Sequence, residues 1–361
     1  MEEKKLYQVG GCVRDKLLGI ENSDIDWLAV GYSEEDFKDY EKIGKDFPVF
    51  LNKNNEEIAL ARRERKNGHG YNDFTSDILN VSLNEDLSRR DLTINSIAYD
   101  VQNDILIDPF DGIKDIKQKI LKHTTIAFKE DPLRVLRLAR FQTKFKDFTI
   151  DNSTTELVLS MKNELKYLQK DRVYKEIKKV FLLDDFYIFF QTLLELDVLE
   201  ELFPIIYKLV LNNKFKKIIS LLSKTSKYSD TVKYTILYID CYTNQFDINL
   251  PIKLQKKVKF LIKNKNILSN IYNLNIEEIV EFFESFKKDI ILFNEQIKVD
   301  IIYNKNKNIN KELLNNIFNK ILDYSPLEWI NKQTNTPNGN DIKDHIHKVN
   351  LEIIRYNFTY V

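Results

Sequence analysis

The stretch Gly10-Gly11-Cys12-Val13-Arg14-Asp15, followed by Ser23-Asp24-Ile25-Asp26-Trp27, sets two glycines ahead of two aspartates separated by one residue. In an extended strand successive side chains alternate between faces, so Asp24 and Asp26 are expected on one face and Ile25 in the core. Gly10 and Gly11 let the backbone approach an anion closely, and a helix starting near Val13 would aim its N-terminal amides at the same place. Arg14 adds a guanidinium fork suited to phosphate oxygens. Two carboxylates on one strand face can hold a pair of divalent ions about 4 Å apart, which activate an attacking hydroxyl and steady a leaving pyrophosphate. A GG turn or a DID strand is common by itself; together, in this order, they point to nucleotidyl transfer.

Working outward, the first hundred residues read as mixed strand and helix: YQVGG and DIDWLAVG as strands, VRDKLLG as the helix between them and EEIALAR as a further strand. The Asp-Pro and Asp-Gly pairs of ILIDPFDG mark a turn where the architecture changes. From Ile113 onward strand signals fade. Leu133, Leu136, Leu138 and Phe141 follow helical spacing, and the segments beginning at Arg172, Phe186 and Lys256 continue in that style. The expected fold is therefore α+β: a mixed sheet with helices, then an all-helical remainder. Breaks at Phe203-Pro204, Leu250-Pro251 and Tyr324-Ser325-Pro326 divide that remainder without a long linker.

The bulk numbers agree. A chain of 361 residues, 43% hydrophobic and 30% charged, has room for two or three domains with real cores. No stretch approaches the roughly 20 uninterrupted apolar residues that span a bilayer. The charged opening MEEKKLYQVGG is unlike a signal peptide, so a cytoplasmic protein is expected. Cys12 and Cys241 suggest buried thiols rather than a disulfide framework or a zinc cluster. Formal net charge is zero, yet the stretch from Lys208 to Asp323 holds 20 lysines against 12 acids. A polyanionic partner would be drawn to that half, although a Lys- and Asn-rich composition can equally reflect genomic bias.

Three further constellations carry chemistry. Glu57, in a strand-like run beside the small Ala59 and Ala61, is a candidate third acid for the aspartate pair, with Glu56 the competing choice. After it, ARRERKNGHGYNDF (61–74) combines four basic residues with two glycines, as a mobile loop over a triphosphate would, or as an ordinary solvated hairpin loop would. RRDLTINSIAYD (89–100) places Asp91 and Asn95 four residues apart, on one helical face, where they could bond a ribose hydroxyl while Arg89 or Arg90 approaches phosphate. Asp91 could instead be a helix cap. In KEDPLRVLRLARF (129–141), Asp131-Pro132 is a standard helix start, yet Arg134 lies three residues after Asp131, so a carboxylate acceptor and a guanidinium donor can converge. Such a pair bonds the amino group and ring nitrogen shared by cytosine and adenine; guanine and uracil present the opposite pattern.

With these residues assembled, the chain resembles the class II tRNA nucleotidyltransferases, the bacterial CCA-adding enzyme family of the polymerase beta superfamily. The match is close through about Phe181. GGCVRD with SDIDW resembles the metal motif, RRDLTINSIA the ribose-selecting motif, and DPFDG (108–112) the hinge motif. EDPLR resembles the amino-acid template that selects CTP and then ATP, and RVYKE (172–176) the helix-stabilising motif of the neck. The loop IALARRERKNGHGY resembles the family's flexible loop, tied to switching from C to A addition.

The resemblance implies a seahorse-like arrangement: catalytic head 1–118, helical neck with nucleobase template 119–184, tRNA-binding body 185–325 and tail 326–361. Asp24 and Asp26 would hold Mg2+, with Glu57 or Glu56 as the candidate third acid, and the 3′ hydroxyl of tRNA would attack the α-phosphate of CTP or ATP. Nucleotide contacts would come from Gly11, Arg14, Arg90, Asp91, Asn95, Glu130, Asp131, Arg134, Arg137 and Arg140. Lys256, Lys259 and Lys263, at helical spacing, would grip the tRNA backbone, against the alternative of plain solvation. No membrane and no obligate protein partner are implied. A partial CC- or A-adding relative, or a bacterial poly(A) polymerase, shares this head and neck. The four histidines, His69, His123, His345 and His347, lack the HxxxH and HD spacings of the phosphohydrolase domain carried by some relatives, so no such activity is expected. His345 and His347, two apart on a helix, would face apart.

Overall fold

The computed structural model describes residues 3–21, 24–43, 49–66, 74–77, 80–241, 243, 245–305 and 310–358. Ser23 and the loop segment 67–73, with His69, lie outside the described residues. The chain divides into two compact units, residues 1–208 with 247–249, and residues 209–246 with 250–361.

The first unit is built on a seven-stranded mixed sheet. Its strands are β1 (Lys5–Val9), β2 (Asp26–Val30), β3 (Glu41–Ile43), β4 (Val49–Leu51), β5 (Glu57–Leu60), β8 (Ala98–Asp100) and β9 (Ile105–Ile107), in the order β3-β4-β5-β2-β1-β8-β9. Two further strands, β6 (Arg63–Lys66) and β7 (Phe74–Asp77), form a separate antiparallel pair. β1 and β2 run antiparallel, whereas β2 and β5 are parallel, with Asp26 opposite Glu57. The period-two alternation feeds two cores. Tyr7, Val9, Leu28 and Val30 pack on one face with Leu87, and Ala29, Phe37, Phe50 and Ile58 pack on the other with Trp27.

Helix α1 (Gly11–Leu17) connects β1 to β2 and begins two residues before Val13. Gly10 is the reason: at φ 75° and ψ −126° it adopts a backbone that residues with a Cβ avoid, and this turns the chain directly from strand into helix. β2 likewise starts at Asp26, so Asp24 and Ile25 precede the strand and Ile25 is half-buried rather than in the core. Helix α2 (Leu83–Ser88) packs Leu83 and Leu87 on the sheet, α3 (Gly112–Gln118) lies against the turn Thr93–Asn95 and α1, and α4 (Leu133–Lys144) follows. RRDLTINSIAYD is a tight turn, one 3-10 turn at Thr93–Asn95 and then β8, not a continuous helix.

Among the described residues beyond Ile113 the regular structure is helical apart from an isolated bridge at His123 and a two-residue parallel ladder pairing Ile120-Leu121 with Thr149-Ile150. Two residues are too few to register as periodicity. The three expected breaks fall at helix boundaries: helices begin at Pro204 and Ile252, and one ends at Asp323 just before Tyr324-Ser325-Pro326. The helix Pro204–Leu211 has its first amides held by a distant residue, since Ile205 and Ile206 donate to the Asp247 carboxylate at 3.0–3.1 Å. In the second unit a phenylalanine cluster forms the core. Phe293 stacks on Phe318 at 4.2 Å between centroids, with Phe286 edge-on to both. Among the described residues no helix is long and apolar enough to cross a membrane.

Candidate active site

A cavity of about 750 Å3 in the first unit collects most of the residues singled out above. One wall carries Gly10, Gly11, Asp24 and Asp26, and Arg90 stands against the glycine turn: a Cβ on Gly10 would lie 3.0 Å from its Nη1. The other wall is α4. Arg134, Arg137, Arg140 and Lys144 recur every three or four residues, which puts them on one helical face toward the cavity. Both walls are thus set by local sequence, the first by the strand-glycine-helix turn and the second by helical period.

The charges inside are organised. Asp91 is buried, accepting from Arg137 Nε at 2.7 Å and from Asn95 Nδ2 at 2.9 Å. Burial would raise its pKa, but Arg137 and the Asn95 hydrogen bond outweigh that and hold it well below the usual carboxylate range. Asn95 in turn accepts from Arg14 Nη1 at 2.5 Å. Arg14 also donates through Nε to Asp15 at 2.8 Å, and Lys144 reaches the same carboxylate at 3.0 Å. Phe141 packs beneath three guanidinium groups, those of Arg140, Arg14 and Arg137, at 4.6–5.8 Å from its centroid. Asp91 is therefore the hub of an ionic network rather than a helix cap.

The aspartate pair behaves differently. The Asp26 pKa is raised, first by burial within the cleft and then by the charges of Glu57 and Asp24, against an opposing contribution from Arg90. Glu57 faces Asp26 across the parallel β2–β5 pair, while Glu56 is occupied, accepting from Trp27 Nε1 at 2.9 Å and Asn52 Nδ2 at 2.6 Å. Among the described residues no group of three or more His, Cys, Asp or Glu is disposed to hold a metal by itself. The donor set still fits Mg2+, which is commonly bound by one or two carboxylates with substrate phosphates and water completing its shell. The contribution that Glu57 and Asp24 make to that rise is what a divalent cation in this place would relieve.

Asp131 and Arg134, paired on the spacing argument, have different partners here. Arg134 is buried, lines the cavity and donates to the Ala127 carbonyl at 2.5 Å. Asp131 accepts a bidentate pair from Arg172 at 2.8 and 3.1 Å and also caps Leu133 N. Arg172, 41 residues away, presents both Nη groups to that carboxylate, whereas the Nη1 of Arg134 is turned to the Ala127 carbonyl. Neither Glu130, Asp131 nor Glu57 is among the described residues that line the cavity.

Lys256, Lys259 and Lys263 are exposed on the helix Ile252–Lys263 of the second unit. His345 stacks on Trp329 at 4.1 Å and meets Tyr324 Oη at 2.7 Å, while His347 turns to Glu277 and Glu284, so the two rings do face apart. Sequence reasoning passed over Asp15, Asp86 and Lys144. Lys144 was open to detection, since it continues the arginine spacing of α4 by one more turn. Asp15 and Asp86 look like ordinary surface acids, and only their burial, at 3% and 0% exposure, distinguishes them.

Comparison with known proteins agrees with this geometry. Residues 6–122 match the poly A polymerase head domain family, and residues 147–210 match the family described as the probable RNA and SrmB-binding site of polymerase A. The CCA-adding enzyme of Blochmanniella floridana is 48% identical over 206 residues, covering 55% of this chain and 50% of that one. The chain thus spans about half the length of several of the curated relatives it matches. The CCA-adding enzyme of Buchnera aphidicola subsp. Schizaphis graminum is 35% identical over 98% of this chain and 97% of its own. In fold, the chain matches the apo form II structure of a CCA-adding enzyme with a TM-score of 0.69 over 99% of this chain and 91% of that one, at 22% identity. A relative matched over nearly its whole length and a head-domain family covering the cavity wall that carries the aspartates lead to one conclusion: the chain belongs to the class II CCA-adding enzyme family of tRNA nucleotidyltransferases.

Proposed function

We propose that this protein adds C, C and A to the 3′ end of tRNA from CTP and ATP, releasing pyrophosphate, without a nucleic-acid template. The observation that carries this reading is the cavity in which Asp24 and Asp26 share one space with the arginine face of α4. The glycine turn, Arg14 and Arg90 would take the triphosphate, and Asp91 with Asn95 would set the ribose. Mg2+ held by Asp24 and Asp26 would offset the charge on the attacking hydroxyl and the leaving pyrophosphate, and Glu57, in register with Asp26 on β5, is the candidate for a third acid. Arg134 would donate to the acceptor nitrogen of cytosine or adenine. Two lone pairs of Asp131 are engaged by Arg172 and a third by Leu133 N, which leaves one on Oδ2 that can accept from the base's amino group while Arg172 fixes the carboxylate's orientation.

The map 1–118 head, 119–184 neck, 185–325 body and 326–361 tail belongs to the same reading, as does a cytoplasmic location beside the tRNA pool. The test is incorporation of single nucleotides, with magnesium, into tRNA ending at the discriminator base, after the first C and after the second C. Stepwise C, C and then A is expected. Failure to incorporate either CTP or ATP would sink the reading. Long A tails on unrelated RNA would favour poly(A) synthesis, the activity in the name of the matched head-domain family, and a halt after the second C would mark a partial enzyme.

A further inference from the structure

Asp86 has no part in the reading above, yet it is the most completely buried acid beside the cavity, at 0% exposure. It sits on α2, whose start is fixed by a capping box: Ser82 Oγ accepts from Glu85 N, and the Glu85 carboxylate accepts from Ser82 N at 2.9 Å. The helix ends at Ser88, so Arg89 and Arg90 lie three and four residues beyond Asp86, on the same side. Arg89 donates through Nε to Asp86 Oδ1 at 3.0 Å, and Arg90 donates through Nε and Nη2 to Oδ2 at 3.2 and 3.1 Å. The backbone of Arg62, one residue before β6, closes the set: its N–H donates to Asp86 at 3.3 Å and its carbonyl accepts from Arg89 at 2.9 Å.

A buried carboxylate is costly unless it is paired and fully hydrogen-bonded. Burial would raise the Asp86 pKa, but the two guanidinium groups outweigh it and keep the group ionised. Both arginines line the cavity. With Nε and Nη2 of Arg90 committed to Asp86, its Nη1 is left as the arm nearest Gly10, at the turn where phosphate is expected. The anion is thus placed behind the arginine and the open arm in front.

We infer that Asp86 is a positioning residue for the nucleotide's phosphates, gripping Arg90 on two nitrogens so that the third is presented beside the glycine turn. This rests on the proposed nucleotidyl transfer and adds to it the residue that orients the phosphate-facing guanidinium. Held in this way the fork loses little entropy when a phosphate arrives, whereas an unheld arginine would have to be ordered by the substrate.

The test is Asp86→Asn in the full chain, with KM and kcat measured for CTP and ATP on tRNA and nucleotide affinity measured separately by equilibrium dialysis. Loss of one charge-assisted contact should raise KM and the dialysis Kd for both nucleotides about tenfold or more, with tRNA affinity unchanged. In an Arg90→Lys background, where no fork remains to be oriented, the same change should cost less than about twofold. Equal losses in the two backgrounds, or a loss of tRNA affinity with nucleotide affinity intact, would overturn the inference. Should Asp86→Asn fail to melt cooperatively, Asp86→Glu keeps the charge and shifts the carboxylate by one methylene; it should weaken nucleotide binding with the fold intact, and unchanged binding would overturn the inference. If the unaltered protein binds nucleotide but extends no tRNA, the functional reading falls while dialysis still decides the role of Asp86.

Discussion

At the scale of single residues, the acids of the cavity and its surroundings fall into two kinds. Asp91 and Asp86 are held ionised by arginines, whereas Asp26 is pushed toward its neutral form by burial, Glu57 and Asp24. A carboxyl whose folded pKa is raised contributes stability that is fully present below the unfolded pKa and lost as pH rises through the folded value. Asp26→Asn should therefore abolish nucleotide addition and yet raise the melting temperature of the metal-free protein at neutral pH, with the gain vanishing near about pH 4. Thermal melts across pH in the presence of a chelator check this; a lower melting temperature at neutral pH would contradict it. The pair Asp24 and Asp26 was legible in the sequence because one spacing and one glycine turn define it. The Asp131–Arg172 pair and the grip of Asp86 were not, because each depends on burial or on a partner brought in by the fold.

At the scale of elements, legibility followed period length. β1, β2 and β5 and the helix α4 appear close to where alternation and helical spacing put them, while the 3-10 turn at Thr93–Asn95 and the ladder at Ile120-Leu121 are too short to leave a pattern. Helix–helix contacts hide a further device. In the second unit His347, on the helix Gly339–Phe358, meets Glu284 at 3.1 Å and Glu277 at 3.2 Å on the helix Ile276–Ser285. Burial would lower its pKa, but the two glutamates outweigh this and raise it. The stabilisation is fully present below the unfolded value of about 6.5 and fades as pH rises through the higher folded value. His347→Gln should therefore lower the melting temperature at about pH 5.5 and leave it nearly unchanged at about pH 9. An equal loss at both pH values would show that only packing, not charge, is involved.

At the scale of the whole molecule, the zero net charge conceals two halves of opposite sign, and the lysines of residues 208–323 follow the proposal that the helical half carries the tRNA backbone. Replacing Lys256, Lys259 and Lys263 together by alanine should weaken tRNA binding about tenfold or more in low salt and flatten its dependence on salt by roughly two counterions, with nucleotide KM unchanged. Filter binding at several salt concentrations decides it; an unaltered slope would leave these lysines to solvation. Composition pointed to that half but could not say which lysines are exposed, and the divergent helices offered no motif to read. Chain connectivity adds a constraint of its own. Every described residue lining the aspartate cavity lies before Lys208, which invites expression of the first unit as an isolated fragment. Yet the chain returns for residues 247–249, where Asp247 receives the amides of Ile205 and Ile206 and Asn249 donates to Asp171 at 2.6 Å, on the same helix as Arg172. A fragment cut at Lys208 would keep the cavity and lose these two fastenings, so the smallest unit that holds the cavity in shape has to be defined by circuit rather than by length.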